Sequence, residues 1–288
     1  MSLTRSTFSK PSGGTIGRWA VLLLAAIYFF GPLLAAISFT VKSATGGITF
    51  AAYANIFAAP GNNQPSILDA LGFSLGITLA MIALVLGLMV PTQILLHLYV
   101  PKAKPLVEVI CLLPLVFPPV VLVVGVSLIY TASGKDSNGA LNHALIWIRD
   151  PGHPLLLVAL YAVMALPFVY RALDAGIEGA NLRTLTEASR NLGASWWTTI
   201  TRVLLPTLRT SMVNAGFLCF ALAMGEYTVA GILGYTKPFP VWLVQLHVSG
   251  PEQGQEQAAI SVFSLLLVEV ALLVVSAVTS RRTKKGRP

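Results

Sequence analysis

Two carboxylates, Glu226 and Glu269, stand well inside apolar stretches of this 288-residue chain. At the centre of a bilayer a carboxylate costs on the order of 2.5–3.5 kcal/mol on insertion scales, so such groups turn toward protein or water and often act there. Glu226 follows Gly225, where a helix can break, and precedes Tyr227 and Thr228, with Asn214 earlier on the same stretch. These four are polar groups that can face water or protein within such a stretch; for Glu226 a functional role there and a structural hydrogen bond to a neighbouring helix are the competing readings. Glu269, among Leu and Val, reads as a structural pair or as a protonated carboxyl at a helix interface.

The patterns that suggest catalysis do not assemble. Gly72, Ser74 and Gly76 match the G-x-S-x-G nucleophile motif, but a serine nucleophile needs a base within hydrogen-bond reach. His97 lies at the far end of the same apolar stretch, and no other such stretch holds a histidine. Gly72, Gly76 and Ala80 instead recur every four residues, the spacing of a helix-packing face. His97, His143, His153 and His247 lack metal-ligand spacing, so no metal site is expected. Ser133-Gly134-Lys135-Asp136 lacks the earlier Gly and the Ser/Thr of a phosphate-binding loop. The chain is not read as an enzyme and holds no cofactor; if ATP drives it, another chain binds the nucleotide.

Residues of those types must be positioned by apolar helices. Apolar and aromatic residues make up 55% of the chain and charged residues 10%, against about 25% charged in soluble domains. With a mean hydropathy of +0.76, the composition specifies an integral membrane protein. The net charge of +8 does not point to nucleic acid, because the basic residues alternate with apolar runs and form no interleaved basic–aromatic surface. Their dense cluster, Arg281 to Arg287, follows an apolar segment and suits anchoring to anionic lipid. Cys111 and Cys219, both in apolar runs, build no disulfide framework.

About 20 apolar residues cross a hydrocarbon core roughly 30 Å thick. Six stretches qualify: Trp19–Val41, Asp69–His97, Leu106–Tyr130, Pro154–Arg171, Leu208–Leu233 and Ala258–Ser280. The first is too long for the apolar region of a cleaved signal peptide and is expected to be retained. The organisation is a segment 1–18, a six-helix domain 19–280 and a basic tail 281–288. Fifteen of the 19 basic residues fall on the side of the termini, and only Lys42, Lys135, Arg149 and Lys237 on the other. The positive-inside rule then makes both termini cytoplasmic. Pro114, Pro118 and Pro119 interrupt the third stretch and should kink it.

The inward segment 172–206 is amphipathic and long for a connection. Leu182, Leu185, Ala188 and Leu192 recur at helical spacing. Gly193 suits a helix end that needs a left-handed residue, and Pro206 suits the start of the next helix. A helix–turn–helix with small residues at its bend is expected, a shape that a groove on a partner can enclose. The bland alternative is an amphipathic hairpin at the membrane surface.

Glu187, Ala188, Gly193, Leu205 and Pro206 stand at the positions of the EAA loop, with Ser189 for its second Ala and Val203 for its Ile. On those residues the chain resembles the permease subunits of binding-protein-dependent ABC importers, over roughly residues 60–280. Leu113-Pro114-Leu115-Val116-Phe117-Pro118-Pro119 is similar to the proline-rich third helix of permeases for polyamines, ferric iron, thiamine and aminophosphonates. Gly225-Glu226-Tyr227 and Pro240-Val241-Trp242-Leu243 are similar to patterns of the second, polyamine-type permease. The chain departs from that group where Pro119 replaces an acidic residue.

The resemblance implies an all-α type I importer permease in a bacterial inner membrane. It implies a second homologous permease as heterodimer partner, an ATPase dimer and an extracytoplasmic solute-binding protein. The 172–206 loop would dock in the ATPase, with Glu187 making a polar contact, Ala188, Ser189 and Gly193 allowing close approach, Trp197 packing and Pro206 closing the motif. Glu226 favours a small polar solute bearing an amine, such as a polyamine or an aminophosphonate. The rival is a secondary transporter or channel working without ATP, which should show charged relays or broken inverted repeats.

Overall fold

The computed structural model describes residues 13–42, 47–54, 56, 65–133, 140–150, 152, 154–246 and 251–285. In chain order the helices are α1 (Gly13–Val41), α2 (Ala51–Ala54), α3 (Ile67–Leu98), α4 (Lys104–Val116), α5 (Pro119–Ser133), α6 (Ala140–Arg149) and α7 (Leu155–Ala180). They continue with α8 (Leu182–Asn191), α9 (Trp196–Thr199), α10 (Leu205–Gly225), α11 (Thr228–Ile232), α12 (Phe239–Gln245) and α13 (Pro251–Lys285). No strand occurs among the described residues beyond an isolated bridge between Lys42 and Ile48.

Among the described residues, four helical spans are long and apolar enough to cross a bilayer: Gly17–Val41, Ile67–Leu98, Leu155–Ala180 and Trp196–Gly225. A fifth is available if Pro101–Val116 and Pro119–Ile129, bent by 94°, count as one. The third predicted stretch is therefore two helices, and the cause is covalent. A residue before proline is pushed out of the helical region, and Phe117, ahead of Pro118, is extended at φ −95°, ψ 125°. The fourth stretch continues to Ala180, taking Asp174 and Glu178 out of the connecting segment. The fifth stops at Gly225, and residues 228–232 form the separate α11. The sixth lies within α13, most of whose side chains past Val270 are outside the described residues. Glu269, expected at a helix interface, is exposed.

The chain divides into two compact units, residues 1–56 with 247–268 and residues 57–246 with 269–288. In the first, the Tyr53 hydroxyl pairs with Thr40 Oγ1 at 2.8 Å. Gln255 Nε2 donates to the Lys42 carbonyl at 2.8 Å.

In the second unit α3, α7 and α10 enclose the core, with Met81, Val85, Ala165, Val169, Leu173, Leu208, Ala215 and Cys219 buried. Helix α3 starts on a capping box: Ser66 Oγ accepts from the Asp69 N–H, and Asp69 Oδ2 accepts from the Ser66 N–H, satisfying two orphan donors at once. At Gly176 α7 and α10 come close enough that a Cβ would lie 1.8 Å from Ser211 Oγ.

Candidate functional site

Two breaks in the long helices carry the residues singled out by the sequence. The first is the bend between α7 and α10. Helix α7 ends on Asn181 in the left-handed region at φ 48°, a conformation that Asn tolerates better than most residues. Helix α8 then runs ten residues to Asn191, and the chain turns at Gly193, φ +82°. Ser195 restarts the helix by accepting the Thr198 N–H at 3.2 Å, the usual N-cap exchange. The expected helix–turn–helix is present.

Its second arm departs from expectation. Pro206 stands in the first turn of α10, as expected, but that helix is not separate from the turns before it. Residues Ile200–Leu204 form a π-helical turn in which the Leu205 N–H reaches the Ile200 carbonyl, and the helix continues unbroken from Trp196 to Gly225. Pro206 has no N–H to give the carbonyl four residues back, and a π turn is the local adjustment that absorbs such a mismatch.

The packing of the bend separates its residues into two sets. Leu182, Thr186 and Ser189 are buried. Ser189 Oγ pairs with Thr199 Oγ1 at 3.0 Å, and the Thr199 hydroxyl also reaches the Ser195 carbonyl at 3.0 Å. Ser189 thus tethers the two arms from within. Trp196 is held between the Tyr99 ring, with centroids 5.6 Å apart, and the Arg190 guanidinium, 5.2 Å from its centroid. Leu192 and Trp197, by contrast, are 89% and 76% exposed. Glu187, Ala188 and Pro206 are also exposed, and Glu187 Oε1 takes the Arg183 Nε–H at 3.2 Å. A Cβ on Gly193 would meet nothing within 4 Å. The apolar stripe read from the sequence therefore parts: Leu182 and Leu185 pack inward, whereas Ala188 and Leu192 look outward. Leu192, given no role by sequence reasoning, is the most exposed apolar residue of the bend.

The second break, at Glu226, is closed by the chain itself. Glu226 Oε1 accepts the Val229 N–H at 2.9 Å, and the Tyr161 hydroxyl donates to the Glu226 carbonyl at 3.1 Å. The carboxylate thus accepts from the first turn of α11, a local contact and not the bond to a neighbouring helix that the sequence suggested. Tyr227 and Thr228 lie beside it, half-buried to exposed. Asn214 is exposed twelve residues earlier on α10, about 18 Å away at 1.5 Å per residue; it does not join them. Ser74, in place of nucleophilic chemistry, accepts the Phe239 N–H at 2.7 Å while buried. That contact and the Trp242 indole on the Pro65 carbonyl at 2.9 Å fasten α12 to the start of α3.

His97, Asp174 and Glu178 bring ligand-type atoms within 4.8 Å of one another, which histidine spacing did not foretell. Lys104 Nζ already contacts both carboxylates, at 2.9 and 2.6 Å, so an ammonium stands where a metal ion would. His153, His247 and the Gly134–Asp136 segment lie outside the described residues.

The family described as binding-protein-dependent transport system inner membrane component matches residues 100–284. The molybdenum transport system permease protein ModB of Azotobacter vinelandii is 30% identical over 221 residues, covering 76% of this chain and 96% of the relative. ModB of Escherichia coli K12 is 29% identical over 177 residues, 59% of this chain and 75% of the relative. The spermidine/putrescine transport system permease protein PotC of the same strain is 22% identical over 268 residues, 91% and 94%.

Proposed function

Because the chain belongs to the family of inner-membrane permease components of binding-protein-dependent ABC importers, a transport component and not an enzyme, we propose that it forms half of a solute pathway driven by a partner ATPase through the α8–α9 bend. The observation that carries this is the exposure of Leu192 and Trp197 on either side of Gly193. Large apolar side chains held out on a rigid, internally tethered turn favour a protein groove as their partner. The continuous helix from Trp196 to Gly225 supports a mechanical role, since displacement of the bend carries into α10 directly.

The membrane arrangement follows the same reading: six crossings, from α1, α3, the α4–α5 pair, α7, the α9–α10 helix and α13, with both termini cytoplasmic. The basic tail meets anionic lipid there. A second, related permease completes the path, two ATPase subunits bind the nucleotide, and a solute-binding protein delivers cargo on the opposite face.

The solute is best read as a small oxyanion, molybdate or sulfate. The amine-bearing alternative drew on Glu226, whose carboxylate serves as a cap, and the relatives at 29–30% identity are named for molybdenum. A polyamine is the second reading, supported by the near full-length likeness to PotC.

Co-expression with the partner subunits tests the coupling. Gly193→Asp puts bulk and charge at the docking bend. The expected result is loss of the copurifying ATPase, or a drop of about tenfold or more in solute-stimulated hydrolysis, a loss of about 1.4 kcal/mol. A protein that purifies alone and transports normally with the substitution would support the ATP-independent transporter instead. Uptake of molybdate, sulfate and spermidine by the same vesicles separates the solute readings.

A further inference from the structure

Four ionisable side chains meet where α3 ends, α4 begins and α7 approaches the bend. His97 Nε2 lies 3.1 Å from Asp174 Oδ1. Lys104 Nζ lies 2.9 Å from the same oxygen and 2.6 Å from Glu178 Oε1. The second ring nitrogen of His97 sits 2.9 Å from the Gln93 carbonyl. Lys104 is the cation that faces both carboxylates. One turn along each helix, Gln93 and Tyr170 are fully buried and extend the polar face, and Glu108 reaches Arg171 at 3.3 Å. The cluster thus binds α3 and α4 to a single side of α7.

Its level along α7 gives it mechanical meaning. Asp174 and Glu178 flank Gly176, where α10 comes close through Ser211. Glu178 also stands three residues before Asn181, the turn from which α8 departs. A push on the bend reaches α7 twice, through Asn181 and through the α10 contact at Gly176. Both points lie within one helical turn of the cluster.

We propose that Lys104, seated between Asp174 and Glu178 with His97 beside it, is a positioning residue for energy coupling: it clasps α7 to α3 and α4 so that displacement of the α8–α9 bend moves all three helices together. This rests on the coupling role of the bend proposed above. Without the clasp, α7 yields alone, and hydrolysis is spent without moving the pathway.

The test uses the complete complex, with its partner subunits, in sealed vesicles, and measures uptake and ATP hydrolysis together. For Lys104→Met the complex assembles, hydrolysis persists, and solute moved per ATP falls by about fivefold or more, the low end of ordinary coupling between sites. Lys104→Arg, which keeps the charge and its reach, restores most of the ratio. If Lys104→Met fails to accumulate, the charge-balanced pair Lys104→Met with Asp174→Asn carries the same expectation. An unchanged ratio in whichever of these assembles overturns the proposal, as does a fall that Lys104→Arg does not reverse. Gly193→Asp in parallel tells the two readings apart. If it uncouples and Lys104→Met does not, only the clasp fails; if it is itself normal, the coupling role of the bend fails and the clasp with it.

Discussion

At Gly193 and at Glu226 the chain interrupts a long helix, and the two interruptions end in opposite ways. Around Glu226 the freed polar groups find partners within the chain: the Val229 N–H has the Glu226 carboxylate, the Phe239 N–H has Ser74, and the Trp242 indole has the Pro65 carbonyl. Arg149 and Tyr235 exchange contacts across the same region, the guanidinium on the Leu233 carbonyl and the phenol on the Arg149 carbonyl, both at 2.9 Å. Around Gly193 the polar groups are equally well settled by Ser189, Ser195 and Thr199, yet two large apolar side chains are held outside. Orphaned polar groups must be satisfied within the fold. Exposed apolar groups carry no such requirement, and Leu192 and Trp197, at 89% and 76%, are more exposed than Tyr227 and Ile232, at 44% and 48%, beside the other break. At the Glu226 break the polar groups are partnered within the chain, and at the Gly193 bend Leu192 and Trp197 stay exposed.

The largest effect expected from breaking this contrast comes from the bend. Leu192→Ala combined with Trp197→Ala removes the exposed knob while leaving the Ser189–Thr199 tether and the Gly193 turn in place. Since Trp is enriched among the residues that dominate interfaces, at about 2 kcal/mol or more on truncation, the ATPase should bind at least tenfold more weakly. The thermal midpoint of the isolated permease should not move. Were the midpoint to fall while ATPase binding held, the side chains would be packing groups of the permease and the contrast would disappear.

The opposite signature is expected at the other break. Ser74→Ala strands the buried Phe239 N–H, at a cost of about 1–3 kcal/mol. The thermal midpoint in detergent should fall by several degrees, with binding of the ATPase unaffected. A midpoint that did not move would mean that α12 is held by Trp242 and Pro65 alone.

How far these features could be read in advance depends on the range of the interaction behind each. The Gly193 turn and the break after Gly225 were legible because a missing Cβ acts locally. The interruption at Pro118 and Pro119 was legible because a proline ring also acts locally, although its 94° angle depends on what α4 and α5 pack against. Pro206 was legible as a first-turn residue of α10, but no local signal showed that the π turn at Ile200–Leu204 would join that turn to the helix before it. The stripe through Leu182 and Leu192 had the right period, yet periodicity does not say which part of a stripe is covered. Most hidden was the cluster of His97, Lys104, Asp174 and Glu178. Lys104 and Glu178 are 74 residues apart in sequence, and the i, i+4 pairs 93/97 and 170/174/178 acquire meaning only once α3 and α7 are side by side.

Glu226→Gln gives the smallest effect and the sharpest discrimination. The amide oxygen can still accept the Val229 N–H, so the cap survives, while the charge-assisted part of that bond is lost, about 1 kcal/mol or less for this half-buried group. If the carboxylate acts only as a cap, the thermal midpoint drops slightly and the ranking of molybdate, sulfate and spermidine in uptake is unchanged. If it also faces the solute, neutralising it should lower spermidine uptake or raise that of the oxyanions, with little change in stability. Because stability and selectivity answer separately, one substitution decides whether the Glu226 break is closed for structure alone, or whether the chain has used the same carboxylate to hold a helix end and to set the charge of the path.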